Sequence, residues 1–205
     1  MAEVTALFWD VGGVILTNGW DRDSRSAAIE KFHLDWEDFQ DRHELANPAF
    51  ELGQLSLDEY LHRTVFYRSR PFAPDQFKAF MLAQSRELPE SRAVLDALTL
   101  SGKCKYFVAA ANNEGRELNE HRIKRFDLRR NFAAFFSSCY VQLRKPDEAF
   151  YRLALNITGR AAEECVFIDD RATNVECAGR LGMRTIRFQN AAQLKQELGQ
   201  CGVIW

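Results

Sequence analysis

The sequence predicts an α/β fold: a parallel sheet with helices on both faces, interrupted once by a small bundle of helices. Three observations predict it. Short apolar runs recur along the chain, helical patterns separate most of them, and one long stretch, 17–88, carries helix signals with almost no strand signal. Parallel neighbours need crossover connections, usually helices, so this alternation points to a sheet covered on both sides.

Taken in order, the first strand is Ala6 to Trp9, a run without a polar residue. In the stretch that follows, Asp35 can cap a helix through Trp36 and Phe39 that should stop near Asn47-Pro48. Ser56-Leu57-Asp58-Glu59 has the form of a capping box ahead of Tyr60, Leu61 and Val65. Pro74 suits the first turn of a further helix with Phe77, Phe80 and Met81 on one face. Such helices would bury one another's apolar stripes and form a small bundle. The alternation resumes with a helix from Pro89 to Leu100, closed by Gly102. Strands are then expected at Tyr106 to Ala111, Ala133 to Phe136, Val166 to Ile168 and Thr185 to Phe188, and Pro146 can open a helix from Asp147 to Leu155. The expected division is therefore a core of residues 1–16 and 89–205 with an insertion of residues 17–88.

At 205 residues and 46% hydrophobic, the chain can bury one core and a smaller appended unit. Its 27 basic and 29 acidic residues nearly balance, which removes the electrostatic case for nucleic acid or an anionic membrane as partner. The basic cluster from Arg122 to Arg130 reads as a solvated helix face. No apolar run approaches the ~20 residues of a membrane span. Met1-Ala2-Glu3 lacks the basic start of a secretory signal, so a soluble, cytoplasmic protein is expected. Five cysteines without a Cys-x-x-Cys pair fit reduced, packed thiols rather than zinc. Aromatic residues in the insertion, Trp20, Phe50, Tyr60, Phe66 and Tyr67, could line a binding site, fill a bundle core or cover a homodimer surface.

Chemistry concentrates at strand ends, where sheets of this class bind ligands. Asp10 follows the first strand and runs into Gly12-Gly13, a carboxylate beside bare backbone. Asp169-Asp170 ends the strand from Val166, and two adjacent carboxylates repel unless a cation lies near. Mg²⁺ suits such a pair, because it takes one or two carboxylates and fills its shell with water and phosphate oxygen. Lys145 precedes Pro146 at the positive end of the expected helix, a place that favours a lysine facing an anion. Asn112 and Asn113 close the second strand with amides that could donate to phosphate or simply form a turn.

These four segments, in this order, resemble the four motifs of the haloacid dehalogenase superfamily: a nucleophilic Asp, a hydroxyl or amide donor, a Lys and an acidic pair. The likeness runs from Phe8 to Gly182, and the 17–88 insertion falls where that family carries its cap. It implies a Rossmann-like core with a helical cap. It also implies a hydrolase of a small phosphorylated metabolite, working through an aspartyl-phosphate on Asp10 with Lys145 beside it. Asp10, the Gly12 carbonyl, Asp169 and Asp170 would then form a Mg²⁺ site supported by Asn174, and Asn112 and Asn113 would contact substrate.

Two positions depart from the phosphatase pattern. Gly12 stands where most phosphatases of the family have a second Asp that moves protons, a role worth about 10²–10⁴-fold. Ala110 stands where a Ser or Thr is usual. The absent Asp favours a second reading, displacement of halide from a 2-haloacid, against which the acidic pair stands, since halide displacement has no use for a metal site. Both departures together favour a third, a non-catalytic binding or regulatory protein.

Overall fold

The computed structural model describes residues 2–102 and 104–204. Five parallel strands form one sheet in the order β3-β2-β1-β4-β5: β1 Ala6–Trp9, β2 Phe107–Asn112, β3 Ala134–Ser137, β4 Cys165–Asp169 and β5 Arg184–Arg187. Each lies within a residue of its expected run. The central strands are apolar at nearly every position because both faces are covered. Leu7, Trp9 and Val108 pack on one side with Leu95, Leu98, Ile123, Leu194 and Leu198, from the helices α5 Pro89–Thr99, α6 Arg116–Arg125 and α10 Ala191–Gln200. Phe8, Ala109 and Phe167 pack on the other with Phe150, Tyr151 and Cys177, from α8 Glu148–Thr158 and α9 Ala172–Arg180, while the one-turn α7 Ser138–Val141 follows β3.

The insertion after β1 is four helices: α1 Arg22–Phe32, α2 Trp36–Glu51, α3 Leu57–Thr64 and α4 Pro74–Ala83. Asp35 and Ser56 cap α2 and α3 as expected, Ser56 within a complete capping box. Trp20, Phe39, Phe50, Tyr60, Phe77 and Met81 meet in a third apolar cluster of their own. The segments entering and leaving the insertion run side by side. The Thr17 amide donates to the Arg86 carbonyl at 2.8 Å, and the Leu88 amide to that of Ile15 at 2.8 Å.

Two expected helices differ at their ends. Helix α2 does not stop at Asn47-Pro48 but continues to Glu51 with Pro48 inside it. Proline forfeits one helical hydrogen bond there, and the extra turn carries Phe50 into the cluster, 1% exposed and stacked on Tyr60 with ring centres 4.6 Å apart. Helix α8 begins at Glu148 with Asp147 as its N-cap, so Pro146 lies before the helix instead of in its first turn. Among the described residues no helix is long and apolar enough to cross a membrane.

Candidate active site

Register sets the site. Trp9 pairs with Ile168 in β4, so Asp10, one residue past β1, emerges level with Asp169; its amide donates to the Ile168 carbonyl at 2.8 Å. Trp9 pairs on its other side with Ala110, which places Ala111 level with Asp10. Ala110 itself points into the apolar layer with Leu7 and Trp9. The residue beside Asp10 is therefore Ala111 rather than Ala110. It is still an alanine, and it donates nothing.

Carboxylate oxygens of Asp10, Asp169 and Asp170 approach within 4.8 Å of one another. Lys145, its side chain 1% exposed, lies among them with Nζ 2.5 Å from Asp169 Oδ2 and 3.1 Å from Asp10 Oδ2. Its backbone is held by Asn113, whose Nδ2 donates to the Lys145 carbonyl at 2.8 Å and whose Oδ1 accepts from the Lys145 amide at 2.9 Å. Asp169 is saturated: it also accepts from the Arg171 amide at 2.9 Å and from Asn174 Nδ2 at 3.0 Å on both oxygens. Asp170 is not. Its Oδ1 is buried without a partner, and its carboxyl rests on the bare Cα of Gly13, where a Cβ would stand 2.3 Å from Oδ2. An orphaned buried carboxylate oxygen beside two more carboxylates fits a hard divalent cation.

The electrostatics follow from burial. The Asp10 carboxyl is raised to about 7, because burial and the charges of Asp169 and Asp170 outweigh the downward pull of Lys145. Burial and Asp169 likewise raise Asp170. Burial works against the Lys145 ammonium, but Asp10 and Asp169 outweigh it and hold it charged.

Above this cluster, between the sheet and the insertion, lies a cavity of about 380 Å³ lined by Asp10, Gly12, Lys145 and Asn113 from below and by Trp20, His43 and Phe50 from the insertion. Phe50 seats itself on Gly115, where a Cβ would stand 2.2–2.6 Å from three ring carbons. Tyr60 lies behind the lining, fully buried. Its hydroxyl accepts from Trp20 Nε1 at 2.8 Å and shares a hydrogen bond with His43 Nδ1 at 2.7 Å. Burial, with Arg25 nearby, lowers the His43 pKa to about 4 and keeps the ring neutral. Phe66 packs against the insertion's apolar cluster, while Tyr67 bonds Asp38.

Of the residues singled out in the sequence, Asp10, Gly12, Asn113, Lys145, Asp169 and Asp170 come together. Asn112 does not face the cavity. Its Nδ2 donates to Asn119 at 3.0 Å and its Oδ1 accepts from Ser137 Oγ at 2.8 Å, both inside the core. Sequence reasoning missed Glu114 and Arg122, which line the cavity as a buried pair 2.7 Å apart. Arg122 is 3% exposed, so the expected solvated face from Arg122 to Arg130 fails at its first member, while Lys124, Arg125, Arg129 and Arg130 are exposed. Glu114 lies outside α6, just before its Gly115 cap, so no helical spacing marks the pair in the sequence.

The sequence pattern of the haloacid dehalogenase-like hydrolases matches residues 4–182. Flavin mononucleotide hydrolase 1 of Arabidopsis thaliana is 30% identical over 164 residues, 79% of this chain and 64% of that protein. (S)-2-haloacid dehalogenase 4A of Burkholderia cepacia is 25% identical over 125 residues, 57% of this chain and 53% of that one. The chain thus spans less than two thirds of either relative. Among solved structures, a haloacid dehalogenase family enzyme of Bacteroides thetaiotaomicron in complex with magnesium and inorganic phosphate shares the fold. Its TM-score is 0.75 at 20% identity, over 93% of this chain and 98% of that one.

Proposed function

Because the chain belongs to the haloacid dehalogenase-like hydrolases, we propose that it hydrolyses a small phosphomonoester through an aspartyl-phosphate on Asp10, with Mg²⁺ as cofactor. The observation that carries this reading is the unpartnered Oδ1 of Asp170 beside Asp10 and the Asp169–Lys145 pair. Asp10, the Gly12 carbonyl and Asp170 would hold the cation directly. Asp169, whose oxygens are already engaged by Lys145, Asn174 and the Arg171 amide, would act from behind them. When bound, Mg²⁺ supplies positive charge that offsets repulsion between the carboxylate and the phosphoryl oxygens.

The chain's own groups do the rest. Asp10 Oδ1 accepts from the Val11 amide at 2.8 Å, which orients the carboxylate and leaves Oδ2 toward Lys145. In the first step an Asp10 oxygen bonds phosphorus as the ester oxygen departs; in the second, water attacks that phosphorus and frees the carboxylate. Lys145 pulls the Asp10 pKa down against the rise from burial and stabilises charge on the transferring group. Asn113 fixes Lys145 by both its backbone groups. Residues 17–88 act as a cap that closes the cavity over the substrate and excludes water.

Halide displacement from a 2-haloacid is the second reading, favoured by Gly12 and by the Burkholderia relative. Three clustered carboxylates oppose it, because they would repel a carboxylate substrate. Parallel assays of phosphate release from p-nitrophenyl phosphate and chloride release from 2-chloropropionate, each with Mg²⁺ and with EDTA, separate the two. Phosphate release abolished by EDTA supports the first reading; chloride release indifferent to EDTA replaces it with the second.

A further inference from the structure

We propose that Arg122 is the residue that meets the leaving-group oxygen, in the space a side chain at position 12 would otherwise fill. The inference rests on phosphoryl transfer at Asp10. A Cβ built on Gly12 would stand 3.0 Å from Asn18 Oδ1 and 3.5 and 3.6 Å from the two terminal nitrogens of Arg122. The ground over Gly12 is therefore held by an amide and a guanidinium, and a longer side chain there would displace both. A Cβ alone would press on Asn18 and make ordinary contact with Arg122, so it is a longer side chain that the arrangement disfavours.

Arg122 is built in as a functional group would be. Its side chain is 4% exposed, and it lines the cavity that also contains Asp10 and Lys145. One terminal nitrogen donates to Glu114 Oε2 at 2.7 Å and the other to the Thr17 carbonyl at 2.6 Å, while Nε is buried with no acceptor. A guanidinium has five donors, and these two bonds leave several without use. Taking such a charge out of water costs more than one carboxylate and one carbonyl return, so a further acceptor in the cavity would complete the site. Glu114 and Thr17 hold the fork from two sides, which fixes its direction.

Lys145 and Arg122 thus put one cation beside the attacking carboxylate and one above Gly12. In an in-line displacement the attacking and departing oxygens lie on opposite sides of phosphorus. As the bond from phosphorus to Asp10 forms, the bond to the ester oxygen breaks and its electron pair goes to that oxygen. Arg122 donates a charge-assisted hydrogen bond to the growing charge, and water then supplies the proton. Arginine does not release a proton at any working pH, so it stabilises the departing alkoxide without protonating it.

The test is the dependence of kcat/KM on leaving group, measured with p-nitrophenyl phosphate, phenyl phosphate and an alkyl phosphate. The variants are Arg122→Lys, which keeps the charge and loses the fork, and Arg122→Met with Glu114→Gln, which leaves no lone buried charge. Removing one such donor costs about 10²–10³-fold where charge develops. The double variant should lose that much on the alkyl ester and about tenfold or less on the p-nitrophenyl ester, with Arg122→Lys between. Melting curves establish that each variant folds. If the double variant does not fold, Arg122→Lys alone decides, by losing more on the alkyl than on the p-nitrophenyl ester. Equal losses on all three esters, or none, overturn the proposal while leaving phosphoryl transfer standing. A wild-type protein inactive on every ester overturns both.

Discussion

Replacing Lys145 by methionine probes the charge balance on which the site depends. The side chain is nearly isosteric, so the change removes a charge without opening a large void. It leaves Asp10 and the fully buried Asp169 without the ammonium now 3.1 and 2.5 Å from them. Breaking a buried ion pair by removing one partner costs about 3–5 kcal/mol. At about 2–4 °C per kcal/mol for a chain of this size, the melting temperature should fall by roughly 6–20 °C. The pH dependence gives a second handle. The Asp10 carboxyl, ordinarily near 3.8, titrates at about 7 when folded, so its contribution to stability is fully present below about 4 and is lost as pH rises through 7. Without Lys145 to pull that value down, the loss continues to higher pH. The deficit of the variant should therefore grow toward alkaline pH and shrink toward acid. Melting curves of both proteins from pH 4 to 9, with and without Mg²⁺, measure this, and Mg²⁺ should recover part of the loss. A deficit below about 1 kcal/mol that does not change with pH would refute the reasoning.

His43 gives the opposite slope. Its pKa falls from 6.5 to about 4 on folding, so the stability it contributes is full above 6.5 and is lost as pH falls toward 4, up to about 3 kcal/mol. The drop in melting temperature between pH 7.5 and pH 4.5 should be smaller in His43→Gln than in the wild type, and an unchanged drop contradicts this. Gly115→Ala should destabilise by about 1–3 kcal/mol through overpacking against Phe50, an effect that Phe50→Leu should partly relieve. Additive single-variant effects in that pair would show that the contact is not made. Asn113→Ala removes both bonds to the Lys145 backbone and should lower kcat more than it changes KM; steady-state kinetics with p-nitrophenyl phosphate check this.

Much of the core was legible because a strand covered on both faces carries an unbroken apolar run. β1 and β4 have no solvent side to interrupt the apolar runs Ala6–Trp9 and Cys165–Ile168. Strand order was not legible, since nothing in a run of Val, Ile and Phe states which neighbour it pairs with. Helix α1 left little trace because it buries only Ala28 among eleven residues, and its start at the Asp21 cap went unmarked. Pro48 misled the reading of α2, because the pull of Phe50 toward Tyr60 is a tertiary effect invisible in local sequence.

At the site, Asp10 and Asp169-Asp170 stood out because carboxylates at the ends of buried strands have few ordinary uses, and Lys145 because it precedes Pro146 at the positive end of an expected helix. The different duties of Asp169 and Asp170 became visible only through their partners, one with every oxygen engaged and the other with an orphan. Arg122 was hidden by its company. In sequence it opens a basic run, and only the fold turns it inward to Glu114 and Gly12 while its neighbours face water.

Phosphate release from p-nitrophenyl phosphate by the wild type and by Asp10→Asn, in Mg²⁺, tests most directly whether Asp10 is the nucleophile. Asparagine keeps the size of the side chain and removes its attacking oxygen anion. The expected result is metal-dependent turnover in the wild type and background release in the variant at a similar melting temperature. Turnover that survives in a folded Asp10→Asn protein would contradict the central claim.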